Sequence, residues 1–223
     1  MYQNDHFSQQ DVCLICLNTI SRYPTFHFLA SHHKICPQCA EKFKKLDIKG
    51  TFHHYPIRIL YAYNAFFRSL LFRYKGQYDI ALKDAFLDEF QRELARCYKD
   101  YLIVVVPSAS SANKRRGFAP NQAIASTIHS HVFNGLYKKT DYKQSEKSYT
   151  QRAGVHQIIG LRGGSFLKNK KVLLMDDVMT SGETILTCLE LIEKEKPLKI
   201  EILLLSMKEK NIDNLGINKQ NDS

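Results

Sequence analysis

The stretch Val172-Leu173-Leu174-Met175-Asp176-Asp177-Val178-Met179-Thr180-Ser181-Gly182-Glu183-Thr184-Ile185 constrains the fold of this chain more than any other. An unbroken apolar run of strand formers suits a strand buried on both faces, which is the situation in a parallel sheet covered by helices. Two adjacent carboxylates end the run. Small hydroxylic residues and a glycine then turn the chain, and helical spacing begins at about residue 182 and lasts to 194. Ligands of open α/β sheets lie at the carboxyl ends of the strands. A helix N-terminus there offers unpaired N–H donors at the positive end of its dipole, a seat for a phosphate. Gly182 allows close backbone approach, Thr180, Ser181 and Thr184 add hydroxyl donors, and Glu183 opens the helix. Asp176 and Asp177 are left facing neutral donors, which suits the 2′- and 3′-hydroxyls of a ribose. No Gly-x4-Gly-Lys-Ser/Thr occurs, so this is not a Walker loop.

The rest of the sequence supports an α/β fold. Residues 57–63 have strand composition, and 64–74 and 81–98 carry apolar side chains at helical spacing, the latter through Leu82, Phe86, Phe90, Leu94 and Tyr98. Tyr101 to Val106 is an apolar run of β-formers closed by Pro107 and reads as a buried parallel strand. A helix over 120–132 with Pro120 in its first turn, a weak strand at 133–137, and strands at 171–176 and 200–206 complete a parallel sheet with right-handed crossovers. Residues 138–165 are polar, basic and aperiodic, a long mobile loop of the kind that usually has a task. The closing NKQNDS reads as a frayed end. This gives three parts: a module over 1–50, an α/β domain over 51–210 and a flexible tail over 211–223.

The first part is a metal-held module. Cys13-x-x-Cys16 and Cys36-x-x-Cys39 are separated by 19 residues, and six of the nine histidines occur by position 54. Each two-residue spacer lets one turn present two thiolates, and two turns close a tetrahedral, structural Zn2+ site. His27, His32 and His33 are spare ligands that four thiols do not need. A hairpin arm at 25–29 and a short helix at 40–46 fit such a module. Cys97 and Cys188 read as small core residues.

The formal net charge of +10 is localised. Residues 107–171 hold twelve Lys or Arg against Asp141 and Glu146, and the remainder is balanced. Such a field favours polyanions, either nucleic acid or a phosphorylated ligand. Phe118, Tyr137, Tyr142 and Tyr149 are interleaved with these charges and are candidates for stacking on unpaired bases. No apolar run approaches the roughly 20 residues needed to span a bilayer, and MYQNDHFSQQ lacks the character of a signal peptide. A cytoplasmic protein without membrane insertion is expected.

The 172–185 stretch resembles the phosphoribosyl pyrophosphate (PRPP) motif of the phosphoribosyltransferase family. The resemblance implies a type I phosphoribosyltransferase fold, with Asp176 and Asp177 holding the ribose directly or through Mg2+ and residues 180–184 holding the 5′-phosphate. The succession of zinc knuckles, Phe72-Arg73-Tyr74-Lys75-Gly76, Val106-Pro107, Lys114-Arg115-Arg116-Gly117-Phe118 and the PRPP motif resembles the ComF family of competence proteins over about residues 10–207. Two departures stand out. Ala119-Pro120 intervene before Asn121-Gln122 where the family reads Arg-Gly-Phe-Asn-Gln, and Gly154 to Phe166 contains only Arg162 as a basic residue.

That resemblance implies a part in natural transformation, on incoming single-stranded DNA in the cytoplasm, with other DNA-uptake proteins as partners. It implies that Pro107, Ser108 and Ala109 meet the pyrophosphate and that loop 138–165 is a lid. Lys114, Arg115 and Arg116 serve either the pyrophosphate or DNA phosphates. Purine transferases of this group carry a carboxylate where this chain has Thr180, which disfavours purine salvage and leaves no acceptor base identified. Three functions remain: a DNA-handling competence protein that binds PRPP, an active phosphoribosyltransferase, and a PRPP sensor without turnover.

Overall fold

The computed structural model describes residues 12–20, 33–139, 159–214 and 216–219. Its first helix, α1 (Pro37–Ala40), is a single turn started by Pro37. The helix expected at 40–46 is absent. The chain turns instead, and Lys45 already belongs to β1 (Lys45–Phe52), which forms an antiparallel hairpin with β2 (Tyr55–Ala62). A boundary at residue 50 would cut through β1, so the cysteine-bearing segment gives way to the sheet before Lys45.

After β2, Asn64 caps α2 (Ala65–Gly76) by accepting from the Phe67 N–H at 2.8 Å. The helical spacing over 81–98 resolves into a 3-10 turn at Ile80–Asp84 and α3 (Gln91–Cys97). Leu82, Phe86, Phe90, Leu94 and Tyr98 are all buried as the pattern required. The chain between the two helical pieces bends past Asp88, whose carboxylate accepts from the Lys34 N–H at 2.6 Å and meets His33 Nδ1 at 2.8 Å.

Next come β3 (Tyr101–Val105), α4 (Ser110–Arg116) and α5 (Pro120–Ala125). α5 stops well before residue 132. The hydroxyls of Ser126 and Thr127 donate to the carbonyls of Ala123 and Ile124, local bonds that compete with continuing the helix. β4 (Val132–Phe133), β5 (Leu136–Lys138) and β6 (Ile159–Leu161) follow, β5 and β6 pairing as a separate antiparallel ribbon. This ribbon is the base of the expected lid, whose residues 140–158 lie outside the described residues, as does the arm expected at 25–29. The chain ends through β7 (Lys171–Met179), α6 (Glu183–Glu193), β8 (Lys199–Met207), α7 (Glu209–Asn214) and β9 (Asn218–Lys219). The tail expected from 211 onward is therefore not free where it is described: β9 pairs with Gly50 and Thr51 of β1, and Ile212 and Ile217 are buried.

Seven strands form one sheet in the order β4-β3-β7-β8-β2-β1-β9. Pairing is parallel from β4 through β2, and the β1 and β9 edge is antiparallel. Alternation along the strands gives each face its own core. Leu173 and Met175 of β7 pack with α2 and the cysteine segment, whereas Val172 and Leu174 pack with α6 residues Ile185, Cys188 and Leu189. Cys188 is a core residue as expected, but Cys97 is exposed. Among the described residues no helix is long and apolar enough to cross a membrane.

Candidate phosphoribosyl site and cysteine cluster

From β3 the chain runs outward to β4 and then returns past it to β7 on the other side. The carboxyl ends of β3 and β7 therefore flank a topological switch point, where an α/β sheet leaves a crevice. β7 is longer than its sequence suggested and brings Asp176 and Asp177 to this end before Met179 closes it. Thr180 and Ser181 are exposed in the turn, with exposed Glu183 and half-buried Thr184 beginning α6. Gly182 has φ +80°, and an added Cβ there would lie 2.7 Å from the Phe52 ring, so both backbone shape and close packing demand glycine. The Thr180 carbonyl accepts from Asn211 of α7 at 3.2 Å, which fixes the turn.

The two carboxylates do not both face neutral donors, as the sequence suggested. Asp176 does, accepting at one oxygen from Asn121 Nδ2 at 2.8 Å and from the Asp177 N–H at 2.9 Å. Burial pushes its pKa up to about 6 against the pull of Lys75, Asn121 and Lys138. Asp177 is nearly buried, and its Oδ2 meets the Nζ of Lys75 from α2. Burial lowers Lys75 to about 8 against the attraction of Asp176, with Arg116 adding to the lowering, so it is an ammonium at neutral pH.

Asn121 and Lys75 are the residues that sequence reasoning missed. Asn121 stood out only as part of a departure from a family pattern, and Lys75 only within Phe72-Arg73-Tyr74-Lys75-Gly76. Asn121 also donates to the Val106 carbonyl at 3.3 Å, and its Oδ1 is buried without a hydrogen-bond partner among the described residues.

Beyond Asn121 a cavity of about 210 Å³ is lined by Pro107, Ser108, Asn113, Gln122, Tyr137 and Lys138 among others. Pro107 and Ser108 are thus at the crevice, and Ala109 is the residue preceding α4. Lys114, Arg115 and Arg116 form the last turn of α4, closed by Gly117 at φ +79°. Cations at a helix C-terminus are favourable whatever they bind. Lys114 and Arg115 are exposed, but Arg116 Nε donates to the Lys75 carbonyl at 2.8 Å. Of the aromatic residues proposed for stacking, Phe118 packs on Tyr74 with ring centroids 5.2 Å apart, and Tyr137 is covered by the Arg162 guanidinium at 4.1 Å. Tyr142 and Tyr149 lie outside the described residues.

On the other side of α2, the sulfurs of Cys13, Cys16, Cys36 and Cys39 all lie within 4.8 Å of one another. Four thiolates around Zn2+ at about 2.3 Å stand roughly 3.8 Å apart, and Cys16 Sγ is 3.7 Å from Cys36 Sγ. The donor set and spacing fit a tetrahedral ion such as zinc. Burial opposes ionisation of Cys13, yet backbone N–H groups of Cys16, Cys36 and Ile15 outweigh it and bring its pKa to about 6; burial raises those of Cys36 and Cys39. Arg73 Nη1 donates to the Ile15 carbonyl at 2.9 Å, and Phe43 packs on Tyr61, Phe66 and Phe67. The cluster is therefore docked into the same core as α2, not held apart as a separate module.

Comparison with known proteins agrees with this picture. Residues 112–216 match the phosphoribosyl transferase domain family. The competence protein ComFC of Streptococcus pneumoniae is 28% identical over 137 residues, 61% of this chain and 61% of that protein. The chain thus spans about three fifths of that relative. ComFC of Bacillus subtilis is 24% identical over 209 residues, 78% of this chain and 85% of that protein. Among solved structures, a hypoxanthine phosphoribosyltransferase of Staphylococcus aureus gives a TM-score of 0.37 at 20% identity, covering 57% of this chain and 64% of that one. One from Trypanosoma cruzi gives 0.39 at 11%, covering 59% and 70%. These structural likenesses are too slight to bear on chemistry. Over residues 112–216 the chain carries a phosphoribosyl transferase domain, and with its mostly parallel sheet and four-cysteine cluster on the N-terminal side it is similar to the ComFC competence proteins.

Proposed function

We propose that this chain is a competence protein of natural transformation that handles incoming single-stranded DNA in the cytoplasm and binds PRPP or a related 5′-phosphoribosyl ligand. The observation that carries the ligand half is the pair of carboxylates at the switch point beside the N-terminus of an eleven-residue helix. Asp176 and Asp177 accept from the ribose hydroxyls, and the partnerless Asn121 Oδ1 is a further acceptor beside them. Thr180, Ser181, Gly182, Glu183 and Thr184 surround the 5′-phosphate. The Ser108 and Ala109 N–H groups face the pyrophosphate, with Mg2+ arriving on it. A closed four-thiolate site has no open position, so Zn2+ supports structure alone.

The DNA half rests on charge: twelve Lys or Arg against two acids over 107–171. Lys114 and Arg115, exposed on α4, are the contacts to phosphates, and Arg116 is engaged with α2. Phe118 packs against Tyr74 and Tyr137 against Arg162, so backbone charge outweighs base stacking in this interaction.

The experiment is a titration of single-stranded DNA at several salt concentrations, with and without PRPP and Mg2+. Affinity that falls steeply with salt supports the DNA reading. PRPP binding without DNA affinity makes the protein a sensor. Release of pyrophosphate when nucleobases are supplied makes it a transferase.

A further inference from the structure

The Phe72-Arg73-Tyr74-Lys75-Gly76 stretch has no part in the reading above, yet the fold brings its lysine to Asp177 across 102 residues of sequence. Ordering a lysine side chain costs conformational entropy, and here the backbone at Lys75 is already fixed from two directions, so only the side chain remains to be ordered. The fully buried Tyr74 donates its hydroxyl to the Pro120 carbonyl at 2.8 Å, and Arg116 Nε donates to the carbonyl of Lys75 itself. Neither bond involves the Lys75 side chain, so the ammonium is free to serve Asp177. The side chain of Lys75 is 24% exposed and that of Asp177 8%. Asp177 Oδ2 is therefore occupied by a cation that the chain itself supplies.

A Mg2+ ion requires near-octahedral oxygen ligands at about 2.0–2.1 Å. A second cation at the same oxygen would meet the ammonium head-on, so Asp177 as it stands does not fit a direct Mg2+ ligand. Asp176 has committed Oδ1 to Asn121 and to the backbone. We propose that Lys75 is the built-in counterion of the ribose-binding carboxylates, taking at Asp177 the place of a divalent cation, so that the ribose 5-phosphate part of a ligand binds without one. The inference rests on the phosphoribosyl reading. A divalent cation is then needed only by ligands that bring a pyrophosphate of their own.

The test uses the full chain and ribose 5-phosphate, which lacks the pyrophosphate, by calorimetry in buffer passed over a chelating resin, with Zn2+ retained on the protein. The parent should bind equally well with and without added Mg2+. Lys75→Met should bind roughly tenfold more weakly or worse without Mg2+, as expected when one partner of a charged pair is removed, and should recover when Mg2+ is added. Electron spin resonance of added Mn2+ gives a readout independent of the sugar. The parent should show no tight site, Lys75→Met should gain one, and Lys75→Met with Asp177→Asn should lose it again. Melting curves confirm that the variants are folded, and Asp177→Asn alone checks the pair from the other side if Lys75→Met is not. If the parent binds ribose 5-phosphate only with Mg2+, the inference falls and the phosphoribosyl reading stands. The same follows if Lys75→Met matches the parent in Mg2+ dependence. If the parent binds ribose 5-phosphate and PRPP under neither condition, the phosphoribosyl reading itself falls and takes the inference with it.

Discussion

The two ends of the sheet treat charge in opposite ways. At the end where the parallel strands begin, Arg58 of β2 is buried and grips Asp47 at 2.7 Å and both oxygens of Glu93 at 2.8 and 3.1 Å, with its guanidinium over Phe90. Nearby, the Tyr101 hydroxyl donates to Glu201 at 2.6 Å, and Lys199 pairs with the same carboxylate. A cavity of about 430 Å³ opens there, and in its wall Arg58 pairs with Glu93 and Lys199 with Glu201. At the other end, Asp176 is held with its pKa pushed up to about 6, and Asn121 has an acceptor with no partner. A site that satisfies its own charges contributes stability, whereas one with perturbed and unmet groups is where a ligand completes the set.

The largest effect that bears on this contrast is expected at the cysteines, whose thiolate charge an ion such as zinc would close in place of other side chains. Replacing Cys36 with Ser should remove one zinc per chain, an interaction on the order of 10 kcal/mol in small zinc modules. Because Cys13, Ile15, Cys36, Cys39 and Phe43 share a core with Phe67, Leu70 and Tyr74 of α2, the loss should spread to the whole domain. Elemental analysis and thermal melting check this. A variant that keeps its metal, or loses it with the melt unchanged, would separate the cluster from the core.

Next in size, Arg58→Ala should cost about 3 kcal/mol of stability, the low end for breaking a buried pair, because Asp47 and Glu93 remain partly exposed and can hydrate. PRPP affinity should not change. At the other end, Asp176→Ala with Asp177→Ala should weaken PRPP by about 2–3 kcal/mol through lost charged hydrogen bonds, and some stability is lost as well because the Lys75 ammonium is left without its carboxylate. Chemical denaturation and calorimetry on both variants decide it. An Arg58 variant that loses ligand, or a double-aspartate variant that binds as tightly as the parent, breaks the division between a structural end and a functional one.

How much of this was legible in the sequence follows from how far apart the parts of each site lie. The cysteine cluster was readable because each pair is set by a two-residue spacer and tetrahedral geometry does the rest. The strand, turn and helix of 171–193 were readable for the same reason, as was the switch-point end of the sheet. Lys75 and Asn121 were not, since they reach their partners from 102 and 55 residues away and no local pattern marks a lysine as half-buried. Asp177 was therefore expected to face neutral donors when it faces a cation. β1 was hidden by its composition: Lys45-Leu46-Asp47-Ile48-Lys49-Gly50 has weak strand character, includes Asp47 at positive φ beside a register shift, and is strand only because β2 pairs with it. The basic triplet was read for phosphates, yet it occupies the last turn of a helix that the sequence did not announce, and Arg116 is engaged with α2.

The smallest effects expected are in the pH dependence of stability, where the two ends should pull in opposite directions. Glu93 is held below its usual 4.5 by its hydrogen bonds to Arg58. The native state takes up that proton less readily than the unfolded chain, so the stabilisation is complete above about pH 4.5 and is lost as the pH falls through the native value. Asp176 behaves the other way. With a native pKa of about 6 against 3.8, the folded protein holds the proton more tightly, so Asp176 favours folding in acid and the advantage disappears as the pH rises from about 4 to about 6. Denaturant unfolding from pH 3.5 to 7 separates the two. Asp176→Asn should flatten the fall in stability between pH 4 and 6, whereas Glu93→Gln should remove the loss below pH 4.5. The parent's ligand affinity should rise through pH 6, because protonation of Asp176 removes an acceptor from the pair of carboxylates that meets the ribose. If Asp176→Asn leaves the profile unchanged, its carboxyl is hydrated like any surface acid, and the contrast between the two ends rests on geometry alone.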